Sequence, residues 1–175
     1  MQLLLISIHH LENYLLDSLK TELENFFDMK ITLKKDPQDL SHYFNPQRQQ
    51  YNATKLLAHF KKSYSKHPKI LLITNQDIYS QGLTYVFGQA EVDGKIAIIS
   101  TARLQSTHLL ERALKEAIHE IGHLLSLEHC MNRFCVMQLS KNTQNVDRKP
   151  ARFCANCSQI LAEKLYLSTT ESHKL

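Results

Sequence analysis

The segment His119-Glu120-Ile121-Gly122-His123-Leu124-Leu125-Ser126-Leu127-Glu128-His129-Cys130 decides how the rest of the chain is read. It lies in a run whose apolar residues Leu110, Ala113, Leu114, Ala117, Ile118, Ile121 and Leu125 recur at three and four. That spacing predicts an amphipathic helix from about Ser106 or Thr107 to Leu125, with one stripe in the core. Histidines at i and i+4 lie about 40° apart around such a helix and one turn apart along it, so His119 and His123 can meet one ion. Glu120 projects between them, placed to reach a water on that ion rather than the ion itself. On its own the five-residue pattern fits equally well a helix carrying two exposed histidines and a glutamate.

His129 alters that balance. It follows His123 by six, the spacing of a third ligand in H-E-x-x-H-x-x-G-x-x-H. A helix running straight on would carry it about 9 Å further along and to the wrong side. The helix is therefore expected to end near Leu125 or Ser126 and the chain to turn back. Met137 is then available as an apolar floor under the three imidazoles, or simply as a core residue.

Upstream, Leu3–Ile8 reads as a buried strand, Leu11–Phe27 as an amphipathic helix and Met29–Leu33 as a second strand. Asp36–Gln50, with two prolines, reads as a loop. A helix follows from about Asn52 to Tyr64, then a central strand at Ile70–Thr74. Thr84–Val92 and Lys95–Ser100 flank Asp93-Gly94, a two-residue hairpin signal. Strands alternating with helices, then a hairpin, predict an α/β fold with a mixed, mostly parallel twisted sheet and an antiparallel edge strand. After His129 the chain is rich in loop residues until a last helix, Cys157–Leu167, which is expected to pack back through Ile160, Leu161, Lys164 and Leu165.

The 175 residues suit one domain, 43% of them hydrophobic and 22% charged, which excludes disorder over most of the length. Leu3-Leu4-Leu5-Ile6 is far short of the roughly 20 residues needed to cross a bilayer, and it has neither the basic flank nor the cleavage site of a secretory signal. A soluble, cytoplasmic monomer with no membrane or nucleic-acid partner is expected. The formal charge of +4 is small and scattered. The four cysteines, Cys130, Cys135, Cys154 and Cys157, cluster near the C-terminal end. In a reducing compartment such a quartet reads better as a metal site than as a redox pair or packing thiols.

Together, His119-Glu120-x-x-His123-x-x-Ser126-x-x-His129-Cys130-x4-Cys135-x-Met137 and the later Cys154-x-x-Cys157 resemble the archaemetzincin family of zinc metallopeptidases. Asn45-Pro46-Gln47-Arg48-Gln49-Gln50-Tyr51-Asn52 and Ile73-Thr74-Asn75-Gln76-Asp77-Ile78-Tyr79 extend the likeness less specifically, so that it covers most of the chain. The resemblance implies a zincin-like (metzincin) domain over 1–175. Its N-terminal subdomain would span about 1–129 and a zinc-stapled C-terminal subdomain about 130–175. It implies two zinc ions: a catalytic one on His119, His123 and His129 with Glu120 as general base, and a structural one on Cys130, Cys135, Cys154 and Cys157. Met137 would form the Met-turn, and the substrate would be a peptide or protein.

Elementary chemistry agrees with what the resemblance implies. Three imidazoles leave one position on zinc open for a water of lowered pKa, whereas four thiolates close their site. Glu120 can take the proton of that water and deliver it to a leaving amine. In zincins an edge strand receives the substrate by strand addition, here Val86–Glu91 or Ile96–Ile99; the hairpin equally well merely closes the sheet.

The departure is Ser126, where the family pattern has glycine. A left-handed serine costs roughly 1–2 kcal/mol, so Ser126→Gly is expected to stabilise modestly. The same departure leaves room for a catalytically weak or silent zinc-binding adaptor that retains the fold, against which Glu120 argues. A nucleic-acid module drawing on Lys61, Lys62, Lys66 and Lys69 lacks a basic recognition helix. Asn75–Ser80 and Asp36–Gln50 are candidates to shape the cleft, but nothing in them defines a side-chain pocket. His9, His10, His42, His59, His67, His108 and His173 have no ligand spacing.

Overall fold

In the computed structural model the backbone is described over residues 2–171 and side chains over 2–164. The chain runs β1 (Gln2–Ser7), α1 (Asn13–Phe27), β2 (Lys30–Lys35), a 3-10 turn (Ser41–Tyr43), β3 (Phe44–Asn45), β4 (Gln50–Asn52) and α2 (Ala53–Ser63). It continues through β5 (Ile70–Thr74), β6 (Ile78–Tyr79), β7 (Gly88–Ala90), β8 (Ile96–Ser100), α3 (Leu109–Leu124), α4 (Thr143–Arg148) and α5 (Ala155–Glu171). The main sheet has the order β2-β1-β5-β8-β7. Its first four strands are parallel and β7 pairs antiparallel to β8, as the strand and helix alternation predicts.

Period-2 alternation explains the layers. Leu3, Leu5, Leu71, Ile73, Ala97 and Ile99 face one side and pack with α1 and α3. Leu4, Ile6, Ile70, Leu72, Ile96 and Ile98 face the other and pack on Leu56, Leu57 and Phe60 of α2. Two helices thus cover one face and one the other, and the central strands β5 and β8 are buried throughout. Asn52 caps α2 by accepting from the Lys55 N–H.

Several expectations need correction. The first hairpin arm is not Thr84–Val92 but only Gly88–Ala90, joined to β8 by the five residues 91–95 rather than by two. Residues 80–85 instead leave the main sheet, Val86 bridges to Ile78 of the second sheet, and the Phe87 carbonyl accepts from the Ser100 N–H. Arg48 Nη2 takes the carbonyls of Leu83 and Thr84 at 2.8 and 2.9 Å, so these groups are satisfied outside the ladder. Within the stretch expected to be a loop, the 3-10 turn and β3 form, and β3, β4 and β6 make a small second sheet. The active-face helix α3 starts at Leu109, because Ser106 closes a turn onto the His108 N–H instead of capping the helix.

Helix α4 lay hidden in a polar stretch; Asn142 caps it through the Asn145 N–H. Helix α5 starts two residues earlier than expected. Ile160 and Leu161 pack on the core as expected, whereas Lys164 is exposed, and the side chain of Leu165 lies outside the described residues. Among the described residues no helix is long and apolar enough to cross a membrane.

Candidate active site

The second half of α3 is buried on all sides, from Lys115 to Leu124. It lies between the sheet and the segment that follows it. The helix ends on Ser126, which takes φ +69°. The Leu127 N–H returns to the Gly122 carbonyl at 2.9 Å, and the Ser126 N–H to that of His123 at 3.0 Å. This is a Schellman turn, which satisfies the last carbonyls and reverses the chain. A second left-handed residue, Asp93 (φ +54°), sits at the tip of the β7–β8 turn. It donates its N–H to the His123 carbonyl at 3.0 Å and accepts from Ser126 Oγ. Lys69 adds a clamp, donating to the carbonyls of Gly94 and Leu124 at 2.6 Å each.

The reversal brings His129 back to His119 and His123. One ring nitrogen of each of the three lies within 4.8 Å of the others. His119 Nδ1 donates to the Val136 carbonyl and His123 Nδ1 to that of Leu127, both at 2.8 Å. A carbonyl can only accept, so each ring carries its proton on Nδ1 and presents a bare Nε2 lone pair. The two Nε2 atoms lie 3.2 Å apart. Two facing lone pairs at that distance call for a cation between them. Nitrogens about 2.0–2.1 Å from one tetrahedral zinc would be about 3.4 Å apart, so the donor set fits. Burial, with a contribution from the Lys149 ammonium, holds His119 well below the usual imidazole range. Burial also lowers His123 and His129, which favours the neutral form a metal needs.

Glu120 is buried beside this cluster. Burial first, and the neighbouring Glu116 carboxylate second, push its carboxyl well above the usual range. The backbone of β7 lies directly over it. A Cβ on Gly88 would come within 2.5 Å of Glu120 Oε1. Gly88 was not singled out in the sequence, although a glycine inside a strand-like run signals close backbone approach. Met137 is wholly buried beneath the helix, where a Cβ on Gly122 would meet its Sδ at 2.4 Å. The glycine between the histidines thus makes room for the methionine.

The four cysteine sulfurs also converge within 4.8 Å of one another, as free thiols. Cys130 Sγ and Cys154 Sγ are 3.8 Å apart, the separation expected of two thiolates about 2.3 Å from one tetrahedral zinc. Cys135 Sγ accepts from the Cys154 N–H and Cys130 Sγ from the Asn132 N–H. The Cys157 backbone N–H, followed by other donors of the cluster, draws Cys154 down to about 7. The Cys130 N–H bonds the Met137 carbonyl at 2.9 Å, tying the residue after His129 to the methionine floor.

A cleft of about 840 Å³ runs between residues 83–90 and this part of α3, and its far wall is Leu139, Ser140 and Lys141. Of the two proposed receiving arms, Ile96–Ile99 is paired on both sides by β5 and β7 and cannot accept another strand. Gly88–Ala90 is the exposed edge. Of the two stretches expected to shape the cleft, Asn75–Ser80 lines it through Ser80, while Asp36–Gln50 acts indirectly, Gln50 binding the Asp77 carboxylate and Arg48 holding the Leu83 and Thr84 carbonyls.

Residues the sequence reading missed include Lys149, buried with its Nζ 2.9 Å from Glu116 Oε1. Among the described residues the other histidines join neither cluster; His9 Nδ1 instead meets Thr74 Oγ1 at 2.7 Å, and His173 lies outside those residues. The lysines weighed for nucleic acid are partly consumed, Lys61 by Glu91 and Lys69 by its carbonyl clamp.

A family model for peptidase family M54 matches residues 2–163. The chain is 44% identical to the archaemetzincin of Archaeoglobus fulgidus over 118 residues, 66% of this chain and 71% of that protein. It is 34% identical to the archaemetzincin of Sulfolobus acidocaldarius over 174 residues, covering 91% and 96% of the two chains. The crystal structure of archaemetzincin from Methanopyrus kandleri superposes with a TM-score of 0.87 at 32% identity, over 95% of this chain and 96% of that one.

Proposed function

The chain belongs to peptidase family M54, a family of zinc metallopeptidases, and from that premise we propose that it hydrolyses peptide bonds with Glu120 as general base. His119, His123 and His129 hold the catalytic zinc, and Cys130, Cys135, Cys154 and Cys157 a structural one, giving two per chain. The observation that carries this reading is the pair of Nε2 lone pairs 3.2 Å apart, each fixed by an Nδ1–H bond to a backbone carbonyl. Zinc bound there supplies a Lewis acid that activates water and polarises the scissile carbonyl.

The chain's own groups do the rest. The substrate lies extended along Gly88–Ala90, pairing with that edge. Glu120, poised by burial to hold a proton, takes one from the attacking water and passes it to the leaving amine. Gly88 keeps the carboxylate in place from above, and the Val136 and Leu127 carbonyls orient two of the imidazoles. Met137 supports the helix from below. The cysteine cluster anchors the segment that follows His129.

The rival reading, a zinc-binding protein without turnover, rested on Ser126. With φ +69° and a complete Schellman turn, serine makes the reversal to His129 that glycine would make. Metal analysis of the purified protein, combined with cleavage of a peptide library, tests the proposal. Two zinc per chain and cleavage that stops on chelation are expected. A fully zinc-loaded protein that cleaves no peptide would favour the silent alternative.

A further inference from the structure

The two banks of the cleft are joined at one place. Tyr85 Oη donates to the Lys141 carbonyl at 2.8 Å, and both residues line the cleft, one on the 83–90 bank and one on the 139–141 wall. Among the described residues this is the one hydrogen bond between those two segments. The Tyr85 ring is held in place for it. The Arg103 guanidinium, fixed by the Asp77 carboxylate at 2.6 and 2.8 Å, lies 4.1 Å from the ring centre, and Phe87 packs edge-on at 5.5 Å. The contact belongs to a defined end of the cleft. β7 follows α3 in the same direction, Gly88 lying against Glu120 and Asp93 bonding the His123 carbonyl further on. Tyr85 precedes Gly88 and packs with Leu109, the first residue of α3, around Phe87, Leu104 and Val146. Three residues of chain span at most about 10 Å, so Tyr85 leaves the bank no further than that from Gly88.

We propose that the Tyr85–Lys141 crossing is a stop that limits the substrate to about three residues on the carboxyl side of the cut bond. The inference rests on the peptidase reading and adds its substrate class: short peptides and the free carboxyl ends of chains. A peptide lying along β7 passes between the two banks, so a bond joining them crosses its path. Antiparallel addition, the slightly more stable pairing, puts the peptide's carboxyl end where Tyr85 stands. Charge supports that orientation. Lys141 is the one lysine or arginine among the described residues lining the cleft, and at this end it suits a terminal carboxylate. Glu128, after the turn that ends α3, lines the opposite end and suits an amino group. About three extended residues fill the distance from Gly88 to the crossing. A longer chain must part Tyr85 from Lys141, and the net worth of one such hydrogen bond corresponds to about tenfold in affinity.

The test takes a peptide cut by the zinc-loaded protein, locates the cut bond by mass spectrometry, and extends the peptide on the carboxyl side from one residue to eight. kcat/KM is expected to hold up to about three residues and to fall at least about fivefold by six. Extension on the amino side should cause no such fall. In Tyr85→Phe, which keeps the ring and loses the bond, the ratio of long-peptide to short-peptide cleavage should rise several-fold, and in Tyr85→Ala further. Long peptides cut as fast as short ones by the native protein, a length limit on the amino side, or a limit unchanged in both variants would overturn the stop while leaving the peptidase reading intact. If no peptide is cut, the peptidase reading fails instead. The stop is then decided by calorimetric binding of the same series: weaker binding of the long peptides that Tyr85→Ala restores supports it, and equal binding overturns it.

Discussion

Ser126 Oγ donates to the Asp93 carboxylate, joining the left-handed residue at the end of α3 to the left-handed residue at the tip of the β7–β8 turn. The clasp places the edge strand and the third histidine on one rigid corner, because the His123 carbonyl takes N–H bonds from both residues. The hydrogen bond draws the Asp93 carboxyl below its ordinary range. Glycine at 126 would relieve backbone strain of roughly 1–2 kcal/mol but lose this bond and gain freedom in the unfolded chain. The stabilisation expected from sequence alone is thereby cancelled. Thermal midpoints should rank the native protein at or above Ser126→Gly, with Ser126→Ala lower by about 2–4 °C because it keeps the strain and loses the bond. A Ser126→Gly midpoint clearly above the native one would mean that the clasp contributes nothing.

Gly88→Ala should reduce turnover without releasing metal. The added methyl would fall 2.5 Å from Glu120 Oε1 and must push that side chain aside. A displacement of this size at the base is expected to cost at least about tenfold in kcat. Zinc content and kcat measured on the same sample check it, and an unchanged kcat would show that Glu120 is not held by this contact.

Gly122→Ala sets two effects against each other. Alanine is favoured by up to about 1 kcal/mol in a helix interior, but its methyl would meet the buried Met137 Sδ at 2.4 Å. Overpacking of a buried side chain costs typically about 1–3 kcal/mol, so the packing effect wins and denaturant titration should show a net loss of stability. Gly122→Ala combined with Met137→Ala should recover part of that loss relative to Met137→Ala alone. Additive losses would contradict the packing account.

Replacing Cys154 and Cys157 together by serine should lower the melting temperature and abolish activity in parallel. Two of the four ligands of one site would be gone, and the segment tied to Met137 through Cys130 would lose its anchor. Metal analysis should show one zinc equivalent lost. Unchanged stability with no metal lost would contradict the structural role.

Much of this was legible because it is local. The histidine spacing follows from helix geometry, the need for a reversal before His129 from the rise per residue, and the mixed, mostly parallel character of the sheet from alternating strands and helices. The missed features are contacts between distant segments. Gly88 meets Glu120 across 32 positions, counted from their numbers, and Lys149 meets Glu116 across 33. Neither pair carries a periodicity that a sequence window could register. The hairpin was overextended for a related reason. Thr84–Phe87 has strand-like composition, but Arg48, far upstream, takes the Thr84 carbonyl and Ile78 pairs with Val86, so the segment is held by distant partners rather than by a long β8 ladder.

The central claim is that Glu120 handles the proton while three imidazoles hold the ion, and zinc content and turnover of Glu120→Ala, measured together, test it most directly. Two zinc per chain should remain, since Glu120 is not among the ligands, while cleavage falls by about 10²–10⁴-fold or more. Loss of one zinc equivalent, or turnover near that of the native protein, would contradict the assignment.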